Sequence, residues 1–192
     1  MTTSNPSTVR LLETERDALI AHFLALDAED RRLRFGSTLV DDGIRAYVAR
    51  IDFERDGLFA VQDDALQLLA VVHVATTGDT AELGLSVVPQ SRGQGLGNAL
   101  FRRAVTFLRN RGGTEVFVHC LSENGAMMHL ARKNGMRIVY SGGESDASVA
   151  IEPATADSFV NEWLDDQKGR SLQAVRRSGL IAKLFLGAPM AE

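Results

Sequence analysis

Three glycines at alternate positions, Gly93, Gly95 and Gly97, lie between an apolar run that ends at Val87-Val88-Pro89 and an apolar-faced segment that starts at Leu96. Glycine lets backbone N–H groups approach a ligand closely. The first turn of a helix adds unpaired N–H donors and a positive dipole end. The segment from Arg92 to Asn98 is therefore an anion site suited to phosphate. Three known phosphate motifs compete for it. A P-loop needs Lys followed by Ser or Thr after its second glycine, and neither is present. A dinucleotide fingerprint needs glycine where Asn98 stands, and an acid closing the next strand, whereas Glu115 opens it. The third is R-x-x-G-x-G, carried here by Arg92, Gly95 and Gly97.

The elements that must position this turn can be read from the apolar spacing. Residues 1–8 form a polar, disordered lead-in, and a short strand runs through Val9. Thr14 can cap a helix with Ala18, Leu19, Phe23 and Leu26 on one face, and Asp41 opens another with Ile44, Tyr47, Val48 and Ile51 inward. Three consecutive strands follow: Leu58 to Gln62, Gln67 to Thr76, and Ala81 to Val88. Arg92 to Arg111 is predicted helical from Leu96, Leu100, Ala104 and Leu108. A strand from Thr114 to Leu121, a helix from Glu123 to Asn134 and a hairpin of Met136–Tyr140 with Ser148–Ile151 complete the pattern. An antiparallel meander followed by a βαβ crossover is a mixed sheet flanked by helices, an α+β fold. This order is itself wrong for a dinucleotide-binding sheet. Beyond Pro153, one or two amphipathic helices form an extension over residues 153–192.

Composition narrows the function classes. A net charge of −4 argues against bulk nucleic-acid binding, which needs a basic face. A single cysteine, Cys120, excludes an internal disulfide framework. The four histidines show no metal-ligand spacing, so no metal is expected. The apolar stretch from Leu66 to Ala75 is too short to span a bilayer and the N-terminus has no secretory pattern; a cytoplasmic protein without a membrane partner is expected.

The strand, the turn Arg92-x-x-Gly95-x-Gly97, Asn124 and the helix end Lys133-Asn134-Gly135-Met136 resemble the acetyl-CoA signature of the GNAT superfamily of N-acetyltransferases. The resemblance covers element order from about Val9 to Glu152, making residues 9–152 a GNAT-like domain, and is sharpest from Ala81 to Met136. It implies acetyl-CoA as co-substrate, its pyrophosphate on the amides of Arg92, Gly93, Gln94, Gly95, Leu96, Gly97 and Asn98. It implies main-chain bonds from the pantetheine arm to Leu85, Ser86, Val87 and Val88, with an amide of Ser86 or Val87 near the thioester oxygen. Asn124 would lie by the pantetheine; a plain N-terminal cap explains it equally well.

Acyl transfer from a thioester to an amine needs a group that removes the amine's proton, since an amine with a pKa of about 10 is mostly protonated. Glu82 is the candidate base, six residues before Val88. A related offset of a glutamate occurs in lysine acetyltransferases of the resembled family. Strand alternation puts Glu82 on one face with the small Gly84 and Ser86, leaving room above for a substrate; a solvated carboxylate at a strand start is the plain alternative. The tyrosine that many GNAT members carry four residues before the helix-ending glycine is replaced by Ala131. No general acid is therefore assigned; Ser122, His129 and Tyr140 read as structural or exposed, and water can serve. His119 and Cys120 are adjacent in a strand, point to opposite faces and cannot form a nucleophile–base pair.

A weaker resemblance joins Asp27 to Phe35, with its Arg32-Leu33-Arg34-Phe35, to the start of the GNAT domain in bacterial protein-lysine acetyltransferases. It tilts the acceptor toward a primary amine, a small molecule or a protein lysine. A non-catalytic acyl-CoA-binding module is the competing reading, favoured by Ala131 and opposed by Glu82. The C-terminal helices either pack on the sheet or mediate a homodimer, since Trp163, Leu180 and Phe185 exposed alone would be a liability.

Overall fold

A computed structural model describes residues 6–186. Seven strands form one sheet in the order β1-β2-β3-β4-β5-β7-β6. They are β1 (Val9–Arg10), β2 (Gly57–Gln62), β3 (Leu68–Thr77), β4 (Thr80–Val87), β5 (Glu115–Leu121), β6 (Arg137–Ser141) and β7 (Glu144–Ala150). Every neighbouring pair is antiparallel except β4 and β5, the strands joined by the crossover. The α+β architecture expected from the element order is thus observed.

Alternation along the strands builds a core on each face. Phe59, Val61, Ala70, Val72, Val74, Leu83, Val116 and Val118 meet helices α4 (Leu96–Arg109) and α5 (Gly125–Lys133). Leu58, Ala60 and Val71 on the opposite face meet α1 (Arg16–Leu24) and α3 (Asp41–Ala49). Helix α2 (Ala28–Phe35) carries no buried residue and packs on β4 and β5. The side chain of Asp27 caps it, accepting from the Asp30 N–H at 2.8 Å.

Several boundaries depart from the sequence reading, each for a local reason. Helix α4 begins at Leu96 rather than Arg92, because Gly93 and Gly95 hold φ of 75° and 77°, outside the helical region. Thr14 does not cap α1: it lies inside a single 3-10 turn, Glu13–Glu15, that leads into the helix. Strand β7 starts at Glu144, earlier than Ser148, since Gly142 and Gly143 at positive φ turn the chain at once. Of the lead-in over residues 1–8, residues 1–5 lie outside the described ones, while Thr8 is buried.

The C-terminal extension is one helix, α6 (Ala156–Leu186), packed on α4 and β1. Gly169 meets the Thr8 carbonyl so closely that a methyl group there would lie 2.5 Å from its oxygen. The buried Arg103 of α4 pairs with Asp166 of α6 and approaches Glu162 at 3.9 Å. Glu162 also receives bonds from Asn110 at 2.7 Å and Arg111 at 2.9 Å. Trp163 stays 60% exposed, Leu180 is half-buried, and the side chain of Phe185 lies outside the described residues.

Candidate active site

Strands β4 and β5 pair only over Thr80–Glu82 with Glu115–Phe117. Beyond Glu82 they separate, β5 continuing against β7 and β4 against β3. A splayed parallel pair leaves unpaired main-chain groups on the facing edges, which must find partners elsewhere. A cleft of about 440 Å³ occupies the gap. Leu85, Ser86 and Val87 of β4 form one wall with Ser91, Arg92, Gly93, Gly95, Leu96, Gly97 and Asn98 of the turn and α4. Asn124, Gly125, Ala126 and Met127 at the start of α5 form the other, with His129, Leu130 and Lys133 further along. Leu26, Asp30, Leu33 and Arg34 close the cleft from the α2 side.

Glycine at positions 93 and 95 is dictated by backbone conformation, and a methyl group at either would meet nothing within 4 Å. Glycine 97 differs. Its missing Cβ would stand 3.5 Å from Leu85 Cδ2, in ordinary contact with the strand below. The first amides of α4 precede the first intrahelical bond, from the Ala99 N–H to the Gly95 carbonyl, and are free to bind an anion.

Most residues expected around the cofactor are brought together here; two are not. Val88 does not line the cleft, and its N–H is already spent on the Leu69 carbonyl at 2.9 Å. Gln94 is exposed at the rim and reaches back to the Gln90 carbonyl. Asn124 is both cap and cleft residue: its oxygen accepts from the Met127 N–H at 3.0 Å, and its amide donates to the Leu33 carbonyl at 3.2 Å. Arg92 donates to the Val87 carbonyl at 3.3 Å and pairs with Asp30. Together with an ion pair between Arg32 and Glu123, these bonds tie α2 to both walls of the gap.

A second pocket of about 300 Å³ opens on the other side of α2, lined by Arg34, Phe35, Gly36, Leu39, Tyr47, His73, Ala75, Glu82, Gly84, His119, Cys120, Leu121 and Glu144. Glu82 is exposed at its edge, at the last paired position before the strands part. The room expected along the whole Glu82–Ser86 face is only partly there. The Arg34 guanidinium covers Gly84, and the Ser86 hydroxyl is buried against His22, to whose Nε2 it lies at 2.8 Å. His22 Nδ1 donates to the Leu68 carbonyl, so Nε2 is the acceptor and Ser86 the donor. Burial pushes His22 down to about 4.

Several pocket residues escaped the sequence reading as functional groups. The spacing marks Tyr47 only as an inward helix residue, and His73 only as one of four histidines without metal-ligand spacing. In the fold, His73 Nδ1 meets the Tyr47 hydroxyl at 2.7 Å and Nε2 meets Asp56 at 3.0 Å. Burial, aided by the charge of Arg34, holds His73 below its ordinary pKa against the opposing pull of Asp56. Burial pushes the Asp56 carboxyl up, but bonds from Arg55, His73 and the Thr76 N–H together bring it below its usual range. His119 is raised by its hydrogen bond to Asp146 at 2.7 Å, with Glu144 and Glu82 adding to the effect. Cys120 turns inward, opposite His119, and burial pushes its thiol up. That is the environment of an inert thiol. Ala131 is fully buried in the core.

Among the described residues no group of three or more His, Cys, Asp or Glu side chains could hold a metal ion, and no helix is long and apolar enough to cross a membrane.

Comparison with known proteins agrees with this fold. Among solved structures, the GNAT domain of S. lividans PAT superposes with a TM-score of 0.65 at 17% identity, covering 75% of this chain and 89% of that one. The ribosomal-protein-S18-alanine N-acetyltransferase from Escherichia coli gives 0.59 at 19%, covering 78% and 96%. Spermidine N-acetyltransferase from Vibrio cholerae, in complex with CoA and spermine, gives 0.60 at 16%, covering 76% and 95%. A search of curated proteins finds no match. The model of the acetyltransferase (GNAT) family matches residues 32–136, more than half of the sequence, from within α2 through the glycine turn to just past the end of α5. The chain belongs to the acetyltransferase (GNAT) family.

Proposed function

We propose that the protein is an N-acyltransferase that moves an acetyl or other short acyl group from acyl-CoA to a primary amine by direct attack on the thioester. The carrying observation is the splay of β4 from β5, with a cleft at the glycine turn on one side of α2 and a pocket edged by Glu82 on the other. Spermidine N-acetyltransferase, one of the similar structures, was solved with CoA and an amine bound, which supports the same ligand classes here.

In this reading the amides of the turn hold the CoA pyrophosphate, and Arg92 and Lys133 add positive charge at the cleft. The pantetheine runs along Leu85 to Val87, borrowing the main-chain groups that β5 leaves unpaired. The acceptor enters from the Glu82 pocket. Its nitrogen lone pair forms the C–N bond, the C–S bond breaks, and its electron pair leaves with the CoA sulfur. Glu82, directly or through a water molecule, takes the proton that the nitrogen loses, and the thiolate takes one from solvent. With Ala131 buried in the core, no side chain at that position supplies the second proton.

The test is thiol release from acetyl-CoA with lysine peptides, polyamines and amino acids as acceptors, wild type beside Glu82→Gln. Loss of a general base lowers kcat/KM by about 10²–10⁴. Unchanged turnover across the pH range removes Glu82 from the base role. Tight CoA binding with no turnover on any amine replaces the enzyme reading with a cofactor-binding module.

A further inference from the structure

Arg34 lines both cavities. Its guanidinium lies directly over Gly84: a methyl group on that residue would stand 2.1 to 2.5 Å from Nη2, Cζ and Nη1. Gly84 is two residues past Glu82, where β5 leaves β4, so the cation sits at the apex of the splay. Among the described residues, Arg34 is the one lining residue that the two cavities share.

The surroundings hold this cation without neutralising it. Its Nη2 donates to the Tyr47 hydroxyl at 3.0 Å, its Nε is buried with no partner, and no carboxylate among the described residues pairs with it. The rings of Phe35, Phe23 and Tyr47 surround it at 4.8 to 5.6 Å. A guanidinium can only donate, so the Tyr47 oxygen accepts from it and the phenol proton points to His73 Nδ1. His73 therefore carries its proton on Nε2 and donates it to Asp56. Each bond of the chain has a fixed sense, and together they hold Arg34 by a neutral phenol while the negative charge stays with the buried Asp56.

We propose that Arg34 donates a hydrogen bond to the thioester carbonyl of bound acyl-CoA and stabilises the negative charge that develops on that oxygen during amine attack. Tyr47, His73 and Asp56 are its positioning chain. The assignment rests on the acyltransferase reading above. As the amine nitrogen forms its bond to the carbonyl carbon, the C=O π pair moves onto the oxygen beside the guanidinium. It returns as the C–S bond breaks and the sulfur leaves with its electron pair. Arg34 gains and loses no proton. A preorganised cation beside the reacting carbonyl is an arrangement that favours the developing charge.

The test is binding of acetyl-CoA and of S-ethyl-CoA, a thioether of similar shape with no carbonyl, measured by calorimetry on wild type, Arg34→Met and Tyr47→Phe. One charge-assisted bond to the carbonyl gives wild type a preference of about tenfold for acetyl-CoA. Arg34→Met lowers the preference well below the wild-type value, to what a β4 amide on the same oxygen contributes; Tyr47→Phe lowers it less. In infrared difference spectra of acetyl-1-¹³C-CoA, the carbonyl band moves to lower frequency on binding to wild type and moves less in Tyr47→Phe, a readout that does not depend on Arg34→Met folding. Equal wild-type affinity for the two ligands, an undiminished preference in Arg34→Met, or a band shift as large in Tyr47→Phe as in wild type overturns the assignment and leaves CoA binding intact. Failure of both ligands to bind wild type overturns the acyltransferase reading with it.

Discussion

Gly95 and Gly97 are two residues apart in one motif, yet replacing each by alanine has opposite consequences for stability. At Gly95 the backbone holds φ of 77°, where a Cβ crowds the following carbonyl. Alanine there costs about 1–2 kcal/mol, although the methyl group itself meets nothing. Gly97 is in the first turn of α4 with ordinary helical φ, where alanine is preferred to glycine by about 0.5–1 kcal/mol. Its methyl group would touch Leu85 Cδ2 at 3.5 Å, which needs no rearrangement. The two variants are therefore expected to differ by roughly 2 kcal/mol, or about 4–8 °C in Tm for a chain of this size. Urea titration with a constant m-value separates a stability change from a change in the unfolded ensemble. Calorimetry with CoA supplies the functional half: Gly95→Ala displaces an amide donor and weakens binding by about tenfold or more, the value of one charge-assisted hydrogen bond. If Gly97→Ala is the more destabilising of the two, the assignment of conformational need to Gly95 and of packing to Gly97 is wrong.

Two further outcomes follow from buried polar groups. His22 has a folded pKa of about 4 against 6.5 in a flexible chain, so between those values the unfolded state binds more protons and stability falls as pH drops. The loss amounts to roughly 3 kcal/mol and is complete below about pH 4; His22→Gln should flatten that part of a stability profile measured by urea titration, and an unchanged slope would remove His22 as its source. The double change Glu162→Gln with Asp166→Asn leaves the buried Arg103 cation uncompensated. That costs about 3–5 kcal/mol, or roughly 6–20 °C in Tm. An unshifted Tm would mean that α6 does not depend on this ion-pair cluster for its attachment.

The proposed cofactor cleft has a local signature in the sequence because its donors are contiguous. A turn that offers its own amides is encoded by glycine spacing and by what precedes and follows it, from Val87 to Asn98. The proposed acceptor pocket is assembled from α2, α3, β3, β4, β5 and β7, and no local pattern records that Arg34 lies on Gly84 or that Tyr47 meets His73. The segment from Asp27 to Phe35 carried a faint signal through its arginines, but its charge density is equally that of a solvated helix. Strand alternation placed Ser86 beside Glu82 correctly; which neighbour would cover each position depended on α1 and α2, elements far away in sequence. The α4 start was misplaced for a related reason: apolar periodicity continues through a turn whose backbone geometry is set by two glycines.

Helix α2 is the element on which the two halves depend together. It buries no residue of its own, so tertiary contacts with other elements must hold it. Its wall contacts fall on both sides of the gap: Asp30 with Arg92 on the β4 side, Arg32 with Glu123 and the Leu33 carbonyl with Asn124 on the β5 side. Behind them, Phe35 stacks edge-on against Phe23 and Tyr47, and Arg31 bonds the Leu26, Leu39 and Leu24 carbonyls. Exposed ion pairs are individually weak, so the packing of Phe35 and the carbonyl bonds of Arg31 carry more of the attachment than the wall contacts do. Arg34 is held both by the Phe35 ring of its own helix and, from α3 and β3, through Tyr47 and His73. A helix anchored on both sides of the gap thus keeps the cation at the apex where the strands part.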